Sequence, residues 1–305
     1  MIRATVFNDA GCPWGYSANP AFRVLEWRYG AQIEWRLVMI GLRDEVSERM
    51  RQQFDPAAVA RLLVFRNRYG MPFSLQPKAR AASTGRGCRT VVAARLFAPG
   101  SEFRVLRALQ LANFTSTLLL DDDEQIREVL ARVHGIDADA IVDHLDDPEV
   151  VTAYEQDKAE ARSAKGTAIE TQGKASTAEP GVVRYTAPSI VFEHHEQRLV
   201  AGGWQPELAY DLCIANLDPT INRTPPPETP APLLEHFPDG LTTAEIATLL
   251  ARGPDYIPDP DAAEQAMVKL AAERVAVRQS LGSEPLWLPA NHARKPAAER
   301  VTAAA

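Results

Sequence analysis

The chain has 305 residues, 46% of them apolar and 24% charged, with a formal net charge of -7. Those values suit a globular protein with one sizeable core and a second, smaller one, and the acidic balance argues against a general nucleic-acid or anionic-membrane surface. No apolar run approaches the roughly 20 residues of a membrane span, and the start MIRATVFNDAG lacks the pattern of a secretory signal, so the expected compartment is the cytoplasm.

Residues 2–9 and 31–41 read as short strands, with the helical segment NPAFRVLEWRYG between them closed by Gly30. That order is a βαβ unit with parallel strands. Cys12 falls at the carboxyl end of the first strand, where α/β sheets build their sites. In the stretch NDAGCPWGYSANP (8–20), Pro13 suits the first helical position because it has no N–H to leave unsatisfied. A thiol at a helix N-terminus faces unpaired amides, so Cys12 is expected to titrate below its usual value, toward neutrality or lower. Pro20 should interrupt that helix, leaving one short turn at 13–18 and a bent continuation.

From about 43 to 165 the pattern is helical. DPAAVARLLVFRNRYG opens on an Asp-Pro cap, and GCRTVVAARLFAPG with SEFRVLRALQLANF reads as a helical hairpin joined at Pro99-Gly100. DDDEQIREVLARVHG and DPEVVTAYEQDKAEARSAKG begin with acidic residues that suit helix N-termini, which makes Asp121, Asp122 and Asp123 a cap and first turn rather than a metal cluster. Strand character returns at 182–203, where PSIVFEHHEQRLVAGGW reads as a hairpin with His194-His195 as a solvated strand end. No metal site is expected: no HExxH occurs, and Cys12, Cys88 and Cys213 have neither zinc-site nor disulfide-scaffold spacing. Pro188 at the start of a strand is awkward in a central position, and a cis Ala187-Pro188 bond would accommodate it. QPELAYDLCIANL makes a closing helix with Leu208, Leu212 and Ile214-Ala215 near one face and Cys213 in core packing.

RTPPPETPAP (223–232) carries five prolines and reads as a semi-rigid linker. Beyond it come three short helices, with Thr242 and Glu245 at capping-box spacing, then two strands around Gly282-Ser283. Residues 233–290 in that order resemble a winged helix, with 291–305 as a mobile tail. Nine Asp or Glu between 227 and 273, against Arg252 and Lys269, would repel phosphates, so a protein-contact or intramolecular lid role is expected rather than nucleic-acid binding.

The order βαβ, helical insert, ββα, with CPWGY after the first strand and TAPS before the third, resembles the DsbA-like branch of the thioredoxin superfamily. Within it, the sequence resembles the FrnE-type oxidoreductases and 2-hydroxychromene-2-carboxylate isomerases. VVAARL, ALQLANF and VAGGWQP fit the same pattern, and the resemblance covers roughly residues 1 to 218 of an expected first domain of 1–222. It implies an α/β, thioredoxin-like fold with a large helical insertion, followed by the small C-terminal domain. It also implies a site in which Cys12, Pro13, Trp14, Gly15 and Tyr16 face Ala187 and Pro188, with Trp14 and Tyr16 as pocket walls. Gly15 stands where the family usually has a second cysteine. A mixed disulfide on Cys12 would then be resolved by an outside thiol of the glutathione or mycothiol type, or by Cys88, which lies beside Arg86 and Arg89; a structural role for Cys88 is the simpler reading.

Three functions follow. The first is a monothiol oxidoreductase with Cys12 as the catalytic nucleophile, acting on a small thiol or a protein thiol or disulfide. The second is a thiol-dependent isomerase or transferase, because in the isomerase branch a serine at the Cys12 position activates glutathione. The third is a non-catalytic adaptor or regulator. No bound cofactor and no membrane partner are expected.

Overall fold

The computed structural model describes residues 1–252, 255–282 and 284–291. The first half of the fold is β1 (Ile2–Asn8), α1 (Pro13–Ser17), α2 (Asn19–Tyr29) and β2 (Ile33–Met39). Pro20 lies in the first turn of α2, so the expected break falls at Ala18, between two helices. Gly30 closes α2 at a φ of 47°, a value that a residue without Cβ adopts freely.

The insert contains α3 (Glu48–Gln52), α4 (Leu62–Tyr69), α5 (Gly85–Phe97), α6 (Glu102–Thr115), α7 (Asp123–Leu130), α8 (Ala138–Val142), α9 (Pro148–Ala161) and α10 (Ala168–Thr171). Asp55 caps its segment as expected, but residues 56–61 form a 3-10 stretch and the α-helix begins only at Leu62. Asp122 accepts from the Gln125 N–H as the α7 cap, while Asp121 pairs with Arg80 and Asp123 with Arg86. All three carboxylates are thus used in capping or ion pairs.

The chain returns through β3 (Ala175–Glu179), β4 (Val182–Tyr185), β5 (Ser189–His194), β6 (Gln197–Ala201) and α11 (Glu207–Leu217). The β3–β4 hairpin lies partly outside the expected strand region; its SerThr-rich first strand carries no apolar alternation to reveal it. His195 sits in the turn after β5 at a φ of 53°, and its ring lies 4.2 Å from that of His194. On α11 the buried residues are Tyr210, Asp211, Ile214 and Leu217, whereas Leu208 and Leu212 point outward and Cys213 is only half-buried. The expected apolar face was therefore misplaced, because the helix turns a carboxylate, Asp211, inward to meet Arg28, Arg223 and Tyr29.

The central sheet has the order β2-β1-β5-β6, with β1 and β2 parallel and β1 antiparallel to β5. The two-residue period of the strands divides the core. Ile2, Ala4, Val6, Leu37, Met39, Ile190 and Phe192 face α2, α5, α6 and α11, while Phe7, Val38 and Val191 on the opposite face join Cys12, Ile40, Ala164, Ile169 and Tyr185.

The C-terminal segment follows as α12 (Ala231–His236), β7 (Leu241–Thr242), α13 (Thr243–Leu250), α14 (Pro260–Ala272), β8 (Ala276–Leu281) and β9 (Glu284–Pro289), with a sheet of order β7-β9-β8. Its core of Leu233, Phe237, Ile246, Met267 and Trp287 includes Val24 from α2. The proline-rich stretch is docked: Thr224 N–H donates to Arg28 O and Trp27 Nε1 donates to Pro225 O, and α12 begins at Ala231, inside the expected linker. The capping box at Thr242 and Glu245 forms as the spacing predicts. The same Glu245 accepts two bonds from Arg107 of α6, at 2.7 and 2.6 Å, in a pair whose side chains are 5% and 0% exposed. Ser283 of the expected turn and nearly all of the expected tail lie outside the described residues.

Candidate active site

Cys12 is the N-cap of α1 and Pro13 its first residue, the arrangement that the Cys-Pro pair predicts. The Ala187-Pro188 bond is cis, as expected, and Ala187 O lies 3.3 Å from Cys12 Sγ. Two motifs 175 residues apart in sequence therefore meet at one sulfur. Because a carbonyl oxygen only accepts, the bond makes Cys12 an S–H donor.

The sulfur's protonation state reverses the sequence expectation. Burial pushes the Cys12 thiol up to about 12 from an ordinary value of 9.0, outweighing the Gly15 and Trp14 amides that favour the thiolate; the Asp9 charge pushes the same way as burial. Cys12 is 4% exposed and packs with Phe7, Ile40, Tyr185 and Ala187. The helix N-terminus is present, but desolvation in hydrocarbon exceeds what one five-residue helix returns.

Gly15 occupies more than an empty slot. A Cβ built there would fall 2.1 Å from Asn8 Oδ1 and 3.3 Å from Gln110 Nε2. Asn8, Gln110 and Asn19 form a buried amide network: Gln110 Nε2 donates to Asp9 O at 3.1 Å, and Asn19 Nδ2 donates to Gln110 Oε1 at 3.0 Å. Polar side chains fill the volume that a second thiol would need.

Trp14 and Tyr16 part company. Trp14 is 41% exposed and meets Phe65 and Tyr69 of α4 edge-on at 4.9 and 5.7 Å, with Trp204 against Tyr69 at 4.6 Å, in an aromatic cluster beside the motif. Tyr16 is core instead: it is fully buried, packs on Phe73 and Phe114, and donates to Pro72 O at 2.8 Å. Its hydroxyl finds a partner in a segment that no local pattern ties to the motif.

Cys88 is fully buried on the other side of the Asp9–Gly11 turn, in the core shared by α5 and α6, with its thiol donating to Asp9 Oδ2 at 3.4 Å. Burial raises its thiol well above the ordinary value, and the Asp9 charge adds to this. Asp9 also accepts from the Gly11 and Leu42 amides at 2.8 Å, joining the ends of β1 and β2 to the Cys12 turn; burial raises its carboxyl despite those donors. Asp9 could have been singled out from its place at the strand end. Asn8 lies within residues 8–20 but carries no sequence signal, and Gln110, Phe65, Tyr69 and Trp204 carry none because they reach the motif from distant chain segments.

No group of side chains among the described residues has a metal-holding arrangement, and none of the described helices is long and apolar enough to cross a membrane. In a search of solved structures, the chain is similar to a Nitrosomonas europaea protein described as a disulfide isomerase, at 15% identity and a TM-score of 0.55, covering 71% of this chain and 97% of that one. It is similar to the cytosolic disulfide reductase DsbM of Pseudomonas aeruginosa, at 16% identity and 0.51, covering 70% and 98%. A DsbA-type oxidoreductase of Streptomyces coelicolor matches at 19% and 0.52, covering 74% and 92%. No curated protein sequence matches the chain. The model of the DSBA-like thioredoxin domain matches residues 4–167, across the first βαβ unit and almost all of the helical insert. The chain belongs to the DSBA-like thioredoxin domain family.

Proposed function

We propose that this protein carries out thiol–disulfide exchange through Cys12 alone, with a low-molecular-weight thiol completing the cycle. The observation that carries the reading is the 3.3 Å contact between Cys12 Sγ and the carbonyl of Ala187. It sets the one motif sulfur against the backbone edge where an extended thiol ligand can pair. In the exchange, the Cys12 sulfur attacks one sulfur of a disulfide RS–SR, forming Cys12–S–SR, and its proton leaves with the other half as RSH. A second small thiol then attacks the mixed disulfide, transfers its own proton to Cys12 and departs as a disulfide. Attack on the Cys12-linked sulfur by a neighbouring thiol is blocked at position 15, where Asn8 fills the space. The resting sulfur is neutral and closed, so a ligand must displace the Ala187 contact before the sulfur ionises.

Mass spectrometry of native protein incubated with glutathione disulfide tests this. An adduct on Cys12 that excess glutathione removes, and that is missing in Cys12→Ser, is the expected result. Labelling of Cys12 only after denaturation would refute it.

The neutral S–H favours a second reading. A thiol donor at this position can hydrogen-bond a bound thiolate without attacking anything, as an isomerase or transferase site would require. The two readings separate on whether turnover survives in Cys12→Ser, which keeps a donor but no sulfur. For the C-terminal segment we propose an intramolecular support or protein-contact role, with a winged-helix likeness in its order of elements. A cytoplasmic location completes the proposal.

A further inference from the structure

Many arginines of the fold have a carboxylate partner. Arg36 pairs with Glu160, Arg86 with Asp123, Arg95 with Asp157, and Arg107 with Glu245. Two arginines beside the Cys12 cluster do not. Arg162 follows α9 and donates only to backbone carbonyls, those of Ile40 and Lys158 at 3.0 Å and of Gly41 at 3.5 Å. Arg184 of β4 donates to Tyr185 O at 3.0 Å. Neither has an ion pair among the described residues, and both are half-buried. They adjoin the same seam, where Ala164 N–H donates to Val183 O at 3.2 Å. Ala161 and Tyr185, their chain neighbours, pack in one cluster with Cys12 and Ala187.

The nearby acids are engaged elsewhere. Glu160 is held by Arg36 and Glu170 accepts from the Gly166 amide, while Asp9 is buried beneath the turn among Gly11, Leu42 and Cys88. Burial lowers the Arg184 guanidinium from its ordinary value and the neighbouring charge of Arg162 lowers it further, whereas Cys12 as a thiolate and the Asp9 carboxylate would raise it. Two like charges with no ion pair among the described residues, in a protein of net charge -7, are a place where an added anion relieves repulsion.

We propose that Arg162 and Arg184 form a carboxylate-binding subsite that selects an anionic low-molecular-weight thiol, or its disulfide, for Cys12. This rests on the reading of Cys12 as the thiol-handling residue and names the substrate class for it. A guanidinium offers a planar fork of donors matched to a carboxylate, so a thiol with a carboxylate a few bonds from its sulfur can engage the pair while its sulfur lies at Ala187. An uncharged sugar thiol has no group for the site.

The test compares mixed-disulfide formation at Cys12 with glutathione disulfide and with hydroxyethyl disulfide, which is uncharged. Wild type should favour the anionic probe by on the order of tenfold or more, the scale of one charge-assisted hydrogen bond. Arg184→Gln or Arg162→Gln should collapse that ratio, added salt should compress it, and Arg184→Lys should restore part of it. No preference in wild type, or equal slowing of both probes in the variants, overturns the subsite. A second measurement is binding of S-methylglutathione, which cannot exchange, to Cys12→Ser. Binding that is lost on adding Arg184→Gln supports the subsite even where Cys12 proves unreactive, which would remove the redox reading alone. Absence of binding in both proteins overturns the subsite whatever Cys12 does.

Discussion

Alkylation of Cys12 across the alkaline range measures what burial does to this sulfur. With an ordinary value of 9.0, about one thiol in a hundred is ionised at pH 7; at about 12, the fraction is about one in a hundred thousand. The three-unit difference, 12 minus 9, makes the native thiol roughly a thousandfold less reactive than an exposed one through ionisation alone. Iodoacetamide labelling of a Cys88→Ala, Cys213→Ser background, followed by mass, should give a rate that climbs about tenfold per pH unit from 7 upward without a plateau below about 11. The same protein in denaturant should level off near 9. A native plateau around neutrality, or equal native and denatured rates at pH 7, would show that the α1 amides prevail over desolvation and would refute the assignment of a neutral resting thiol.

The other predictions concern packing and linkage. Gly15→Cys places a Cβ against Asn8 Oδ1, so it should lower stability by about 1–3 kcal/mol in urea denaturation, and adding Asn8→Ala should recover part of the loss. Arg107→Ala leaves Glu245 buried without its partner and should destabilise by about 3–5 kcal/mol; adding Glu245→Gln should return a measurable fraction in the same assay. Tyr16→Phe should lose about 1 kcal/mol with the bond to Pro72 O, while the thermal transition stays cooperative. Cys12 and Cys88 both hold their protons more tightly folded than unfolded. Their contribution is complete below about pH 9 and is lost as pH rises toward the folded values, so the urea midpoint should fall above pH 9, less steeply in Cys88→Ala.

Cys-Pro at the end of an apolar run, Pro188 before a second run, and the capping spacing of Thr242 and Glu245 were legible because each depends on neighbours within a few residues. Glycine closing α2 and proline opening α1 are local backbone effects of the same kind. The buried face of α11 is not legible in the sequence because its inward carboxylate, Asp211, is tolerable only beside Arg223 and Arg28, the latter brought there by α2 of the distant βαβ unit. The burial of Tyr16 is hidden from the sequence for a like reason, since Pro72, Phe73 and Phe114 reach it from the insert.

From the chain alone came the element order, the family likeness, and the identity of the one sulfur that stands at a helix start opposite a proline. Folding decided that sulfur's charge, the filling of position 15 by Asn8, and the pair of arginines that have no carboxylate among the described residues. The reason is physical: hydrogen-bond preferences and periodicity act over a turn or a strand. Desolvation and Coulomb terms depend on which distant atoms surround a group once the chain is packed.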